Sequence, residues 1–415
     1  MRQSKLFTKT RKEVPADEVS KNAELLTRGG FIHKEMAGVY SFLPLGLRVL
    51  KKIENIVREE MNAIGGQEIS MTALQDSELW KKTDRWSDEK VDVWFKTKLK
   101  NDTELGLGCT HEEPVTNIMK NFINSYRDLP SYIYQFQTKF RNELRAKAGI
   151  LRGREFLMKD MYSFCKDEIE HNEFYEKSKV AYMNVYKRVG LGHITYVVFA
   201  SGGMFSKYSH EFQTITSVGE DLIYLDENTG IAVNKEVLND EVLASLGIKR
   251  ENLVEHKAIE VGNIFTYGKR YSEPLNLNFN NEKGETLPVF MGAYGIGISR
   301  LMGTIVEVLS DDKGIIWPEE VAPFKVHLLM LGEDEEVKKR ADEVYEILQK
   351  NKVEVLFDDR TGMSAGEKFA DADLLGMPYR VVVSGRSMKE NGVEVKKRNE
   401  EKGQVVSVDE LLKLF

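Results

Sequence analysis

The stretch from Tyr132 to Phe164 constrains this chain most. Residues 132–140 (YIYQFQTKF) alternate β-branched and aromatic residues with polar ones, and residues 155–164 (EFLMKDMYSF) repeat the pattern. Between them runs a charged, glycine-containing loop, residues 142–153. Strand, long loop, strand predicts an antiparallel hairpin. The positive charge is what a plain hairpin does not need: Arg141, Arg145, Arg152 and Arg154, with Lys139, Lys147 and Lys159 beside them. Two explanations stand. A solvated basic hairpin is one, since charge runs usually face water. A polyphosphate site is the other, because guanidinium forks match phosphate oxygens two at a time.

At 415 residues the chain can hold two or three domains and a sizeable core. The formal net charge of -7 means that overall charge announces no nucleic-acid partner, so any such surface is a local basic patch. The two cysteines, Cys109 and Cys165, supply neither a four-ligand zinc site nor a disulfide framework, which points to a reducing, cytoplasmic setting. No apolar run is long enough to span a membrane, and residues 1–20 lack the apolar segment of a secretory signal.

Along the chain, residues 17–29 predict a helix stopped at Gly29-Gly30, and residues 45–64 a second one with Leu47, Leu50, Ile53, Ile56, Val57 and Met61 at helical spacing. Residues 67–74 (QEISMTAL) predict a strand. Residues 80–100 are mixed and end in a turn at Asn101-Asp102, and a strand ending at Cys109 leads into a helix for which Thr110 is the expected N-cap. A helix over 167–189 and two strands around the loop 201–209 follow, then a short acidic helical connector over 226–257. Residues 289–308 predict a strand that turns into a helix at its glycines, which by itself could be no more than tight strand–helix packing. A Pro-marked linker at 317–324 precedes alternating strands and helices, a small α/β domain with 16 basic against 19 acidic side chains.

F-R-N-E (140–143), the loop, and R-G-R-E-F (152–156) resemble motif 2 of the class II aminoacyl-tRNA synthetases, and REFLMKDMYSF is similar to the bacterial-type prolyl-tRNA synthetases. The helix and strand at about 45–74 resemble motif 1, with Thr72 where that motif usually ends in proline. The stretch at about 289–308, with Arg300 after G-I-G-I-S, resembles motif 3, and T-H-E-E (110–113) resembles the amino-acid site of the prolyl enzymes. The resemblance implies an α+β fold: a class II catalytic core over 1–322, an antiparallel sheet with helices, and a C-terminal α/β anticodon-binding domain over 323–415. The large editing insertion of many bacterial relatives is replaced by the connector at about 226–257.

What the resemblance implies about function is a ligase that joins L-proline to its tRNA through a prolyl-adenylate. Arg141 and Arg300 would be catalytic. Thr110, Glu112, Arg141 and His210 would bind proline, and Arg141, Glu143, Arg152, Phe156 and Arg300 would bind ATP. Glu220 is an alternative support for the loop at 201–209, which is longer than the usual form. The resemblance further implies Mg²⁺ with ligands that stay unassigned, no zinc, a homodimer, and a separate trans-acting deacylase for mischarged alanine. A non-catalytic paralogue would be expected to have lost some of the motif arginines, which are all present. A threonine-charging enzyme would carry Cys/His zinc spacing, which this chain lacks.

Overall fold

The computed structural model describes residues 1–13, 20–144, 146–203 and 208–415. The chain divides into two compact units, one of residues 36–39 and 53–304, the other of residues 1–35, 40–52 and 305–415. No described helix is long and apolar enough to cross a membrane.

The first unit is built on a nine-stranded sheet. Its strands are β1 (Gln67–Glu68), β2 (Ser131–Phe140), β3 (Glu155–Cys165), β4 (Thr195–Ser201), β5 (Tyr208–Ile215), β6 (Asp221–Asp226), β7 (Ile231–Asn234), β8 (Leu253–Gly268) and β9 (Phe290–Gly297). The spatial order is β5-β4-β7-β6-β8-β9-β3-β2-β1, with β5 also paired to β8. Every pairing is antiparallel except β7 with β4 and β1 with β2. The arginine-rich hairpin forms as its alternation predicts, in register from Ser131 opposite Phe164 to Phe140 opposite Glu155. Its far half is dry, with Tyr162 and Phe164 packed against Val115, Phe265 and Met291. The helix expected at 167–189 is observed as Glu168–Arg188, where the Asp167 carboxylate accepts from the Glu170 amide at 2.9 Å and caps the first turn.

The second unit is built on a five-stranded sheet of Val326–Leu331 (β10), Val355–Asp358 (β11), Tyr379–Ser384 (β12), Val393–Lys397 (β13) and Gln404–Val406 (β14). Its order is β11-β10-β12-β13-β14, with β10 parallel to β11 and β12 and the last two strands antiparallel. The helix Glu335–Lys350 buries Val337, Ala341, Val344 and Leu348 against it, and Ala365–Leu375 carries a capping box of Ser364 and Glu367.

Five expectations change. The helix expected over 17–29 is observed as Lys21–Arg28, and residues 14–19 lie outside the described residues. The strand expected over 67–74 is broken: it pairs with β2 only at Gln67–Glu68 and Leu74 opens a separate strand, Leu74–Asp76, while between them Gln135 Oε1 accepts from the Met71 amide at 3.0 Å and Gln137 Nε2 donates to the Met71 carbonyl at 2.5 Å. Side-chain amides satisfy that backbone, so pairing stops. Leu47, assigned to the apolar face of its helix, is 45% exposed. Residues 317–324 are no solvated linker, since Trp317, Val321, Ala322 and Phe324 are buried. The connector is helical only in its middle, at Lys235–Val237, Asp240–Leu246 and Arg250–Asn252, and its two ends are strands of the main sheet, with Val237, Val242, Leu243 and Ile248 closing a small core of their own.

Candidate functional site

One face of the sheet carries a cavity of about 950 Å³, its open mouth included. Strands β2, β3, β8 and β9 make its floor, the loop 141–153 makes one wall, and the start of the helix Ile298–Val308 makes another. Glycines let the floor lie flat. A Cβ on Gly295 would sit 2.5 Å from Met158 and 2.9 Å from Asn263, so any larger residue would fill the cavity or push the strands apart.

Seven of the expected site residues, Thr110, Glu112, Arg141, Glu143, Arg152, Phe156 and Arg300, line this cavity. Arg141 extends from the end of β2, where its amide donates to the Arg154 carbonyl at 2.8 Å. Its Nε donates to the Cys109 carbonyl at 3.4 Å, and its guanidinium carbon lies 5.3 Å from the Phe156 ring centroid. Arg152 donates to Glu143 from Nε and Nη2 at 3.2 and 2.9 Å and reaches Glu220 at 3.5 Å. Glu220 also pairs with Lys147 at 3.1 Å and so ties down the arginine loop; of the loop at 201–209, residues 204–207 lie outside the described residues. Arg300 is held from behind: its Nε donates to the Leu151 carbonyl at 2.8 Å and Nη1 to the Glu260 carbonyl at 3.0 Å.

At the other end of the cavity stands a carboxylate. Thr110 Oγ1 lies 2.8 and 2.7 Å from the two Glu112 oxygens, and Tyr267 donates its hydroxyl to Oε1 at 3.0 Å. Thr110 is thus not the helix N-cap; His111 takes that position and makes no side-chain cap. The threonine hydroxyl instead donates its proton to a carboxylate two residues on.

His210 does not line the cavity. It sits on β5, opposite Ile264 of β8, with its Nδ1 2.8 Å from the Tyr175 hydroxyl and its ring against Phe199. Burial pushes its pKa down to about 4, so it is neutral near pH 7. Arg154, counted with the basic cluster, points into the loop itself and donates to the carbonyls of Glu143 and Ala37 at 3.0 and 2.8 Å. Arg145 lies outside the described residues.

Several lining residues carried no sequence signal. Lys139 looked like part of a solvated basic run, yet it is 1% exposed, 2.7 Å from Asp160 Oδ1 and 2.6 Å from His111 Nδ1. Gln135 Nε2 and the Tyr162 hydroxyl each donate to Asp160 Oδ2 at 2.9 Å. Burial alone would raise the Asp160 carboxyl, but Lys139 together with His111 and Gln135 holds the pKa below the usual range. His111 is driven down to about 4 by burial and by Lys139, and its Nε2 donates to the Thr72 carbonyl at 3.0 Å. Both ring nitrogens of His111 are therefore engaged.

Glu260 and Asn263 also line the cavity, the amide donating to the carboxylate at 2.7 Å. Behind them Glu211 is raised to about 8 by burial and by the nearby Glu260 charge. Two carboxyls thus stand close together, with Arg300 Nη1 3.4 Å from Glu260 Oε2. Mg²⁺ needs only one or two protein oxygens beside substrate phosphates and water, so Glu260 and Asn263 fit it.

Two family models match this chain. Residues 95–309 match the class II tRNA synthetase core domain (G, H, P, S and T), and residues 325–415 match an anticodon-binding domain. A proline–tRNA ligase of Wolbachia pipientis wMel is 38% identical, covering 100% of this chain and 99% of that protein. One of Rickettsia bellii is 39% identical, covering 98% and 96%. Among solved structures, a prolyl-tRNA synthetase of Cryptosporidium parvum bound to halofuginone and AMPPNP has TM-score 0.78 at 17% identity, covering 95% of this chain and 75% of that one. A Giardia lamblia prolyl-tRNA synthetase bound to prolyl-adenylate also has TM-score 0.78 at 17% identity, covering 94% and 75%. At that identity the structural likeness speaks for the fold. The near-complete match to curated ligases of almost the same length, together with the class II core model over residues 95–309, places this chain in the proline–tRNA ligase family of class II aminoacyl-tRNA synthetases.

Proposed function

We propose that the protein ligates L-proline to its cognate tRNA in two steps. In the first, a proline carboxylate oxygen attacks the ATP α-phosphorus and pyrophosphate leaves. In the second, the terminal ribose hydroxyl of the tRNA attacks the adenylate carbonyl and AMP leaves. The carrying observation is that one cavity brings together a hydrogen-bonded carboxylate, Glu112, and the guanidinium groups of Arg141, Arg152 and Arg300.

A carboxylate is a nucleophile at neutral pH without a general base. What the first step demands is that two anions be held together and their charge neutralised as the new bond forms. Arg141, whose Nε lies 3.4 Å from the carbonyl of Cys109 just before Thr110, suits the role of bridge. Arg152 suits the terminal phosphates. Phe156 and Arg300 suit the two faces of adenine, by offset stacking and a cation–π contact, and Glu143 suits its edge. Thr110 and Glu112 suit the secondary ammonium. Glu260 and Asn263 would hold Mg²⁺, which supplies further neutralisation of the phosphates when bound. His210 is left with an indirect role through Tyr175.

The same proposal divides the chain near residues 322–323 into catalytic and anticodon-binding parts and takes the enzyme as a cytoplasmic homodimer. Residues 235–252 form a few short helical turns over a small core, too little for a second hydrolytic pocket, so clearance of mischarged alanine falls to a separate deacylase. The test is ATP–pyrophosphate exchange with each of the twenty amino acids. Proline is expected to drive it best, and a better response to another amino acid, or none to any, overturns the assignment.

A further inference from the structure

Behind Glu112 lies a buried charge cluster that the scheme above leaves unused. The side chains of Arg85, Glu112 and Glu113 are 5%, 4% and 0% exposed. Successive residues on a helix point about 100° apart. Glu112 accordingly faces the cavity, while Glu113 faces the rear, where its Oε1 accepts from the Thr83 hydroxyl at 2.7 Å. Arg85 lies between them and does not share itself evenly. Its Nη1 is 2.9 and 3.0 Å from the two Glu113 oxygens but 3.4 Å from Glu112. Nor can it withdraw: its carbonyl accepts from the Trp94 indole at 3.1 Å, and its guanidinium lies 4.9 Å from the Trp80 ring centroid and 5.2 Å from that of Tyr271.

Two carboxylates and one cation leave a single negative charge, and its placement decides whether a cationic ligand is welcome. Resting on the proline assignment above, we propose that Glu113 is a positioning residue for the substrate's amino group: it occupies Arg85, so that Glu112 keeps its charge for the secondary ammonium. If Glu113 is neutral, Arg85 closes on Glu112 and a compensated ion pair faces the incoming cation. Charge pairing of this kind is strong only where desolvation is complete, as it is here.

The other titratable groups around the pair keep one charge state near neutrality. Tyr162, Tyr267 and Tyr271 are pushed upward by burial, Cys109 is raised to about 11 and His111 lowered to about 4, and Lys139 is paired with Asp160. Glu113 is the exception, raised by burial to about 7 against the pull of Arg85. Protonating it is the low-pH equivalent of removing its charge.

The experiment is a double-mutant cycle in proline-dependent pyrophosphate exchange, with KM measured for proline and for ATP and folding followed by thermal melts. Glu113→Gln keeps the Thr83 contact and removes only charge. It is expected to raise KM for proline about tenfold or more with KM for ATP within about twofold, and R85M/E113Q is expected to return within about threefold of the parent, since the second change removes the competing cation. A merely structural role predicts the reverse, a double variant at least as impaired as the single one. That result overturns the inference, as does an E113Q enzyme with parental KM for proline. The parent enzyme supplies a readout that needs no variant: its KM for proline should rise as pH falls through about 7. A flat profile from pH 8 to about 6 overturns the proposal even if E113Q fails to fold. A parent enzyme without proline-dependent exchange overturns the assignment itself, which separates the two failures.

Discussion

Lys139→Met tests whether the floor of the site is held by charge. Methionine matches the lysine stem in length and removes the ammonium that lies 2.7 Å from Asp160 and 2.6 Å from His111. Removing one partner of a buried pair costs about 3–5 kcal/mol, because the other charge stays buried without compensation. Asp160 keeps two donors at 2.9 Å, Gln135 and Tyr162, so the cost should lie near the lower end, about 3 kcal/mol at pH 8. The pH dependence has a definite sign. In the parent protein Asp160 is held below its ordinary pKa, so its contribution is present above the unfolded value and is lost only as pH falls through the lower native one. In the variant burial is opposed only by the Gln135 and Tyr162 hydrogen bonds, so the native pKa rises from its parental position and the deficit shrinks as pH falls. His111 works in the same direction, since without Lys139 beside it the imidazole can protonate next to Asp160. Urea unfolding followed by tryptophan fluorescence suits the question, because Trp80, Trp86 and Trp94 lie in the same unit as the pair. A deficit below about 1 kcal/mol at pH 8, or one of equal size at pH 8 and 5.5, would refute the reasoning.

Three further outcomes follow. Arg141→Ala and Arg300→Ala should each lower proline-dependent exchange by roughly 30- to 1,000-fold, the range for losing one preorganised contact to developing charge, with unchanged circular dichroism; near-parental rates in either would undo the assignment of these side chains. Alanine should be activated measurably, because a missing methylene or two gives a hydrophobic pocket only ~1–3 kcal/mol each, and alanyl-tRNA with the proline anticodon should decay in the presence of the enzyme at its spontaneous rate; faster decay would mean an editing site elsewhere in the chain. Gly376→Ala should destabilise the second unit by about 2–4 kcal/mol in thermal or urea melts, because Gly376 sits at φ 73° and an added Cβ would lie 2.1 Å from the Ile315 carbonyl oxygen; a melting point within a degree of the parent would contradict this.

The local elements of this protein were legible because short-range physics decides them. Alternation marks β2 and β3, helical spacing marks Pro44–Ala63, and the glycines of residues 292–297 mark the place where a strand turns into a helix. The resemblance to synthetase motifs added the candidates that line the cavity, since those residues are recognised by their order along one chain. Spatial order was different. Nothing in YIYQFQTKF says that Lys139 turns inward to Asp160 while Arg141, two residues on, turns to the cavity mouth, or that the strand expected at 67–74 surrenders its backbone to Gln135 and Gln137.

The sequence by itself determined the elements and the chemical inventory of the site: carboxylate, threonine, arginines and an aromatic ring at motif spacing. Only the tertiary structure decided which charges are compensated. Arg85 lies in a mixed stretch with no motif, 28 residues before Glu113, and becomes its counter-ion only when both are buried together. His210 matches the motif and yet faces Tyr175. The physical reason is that the strength of an ionic contact depends on burial and on every neighbour within a few ångströms. Those neighbours come from distant parts of the chain, and only the folded sheet brings them together.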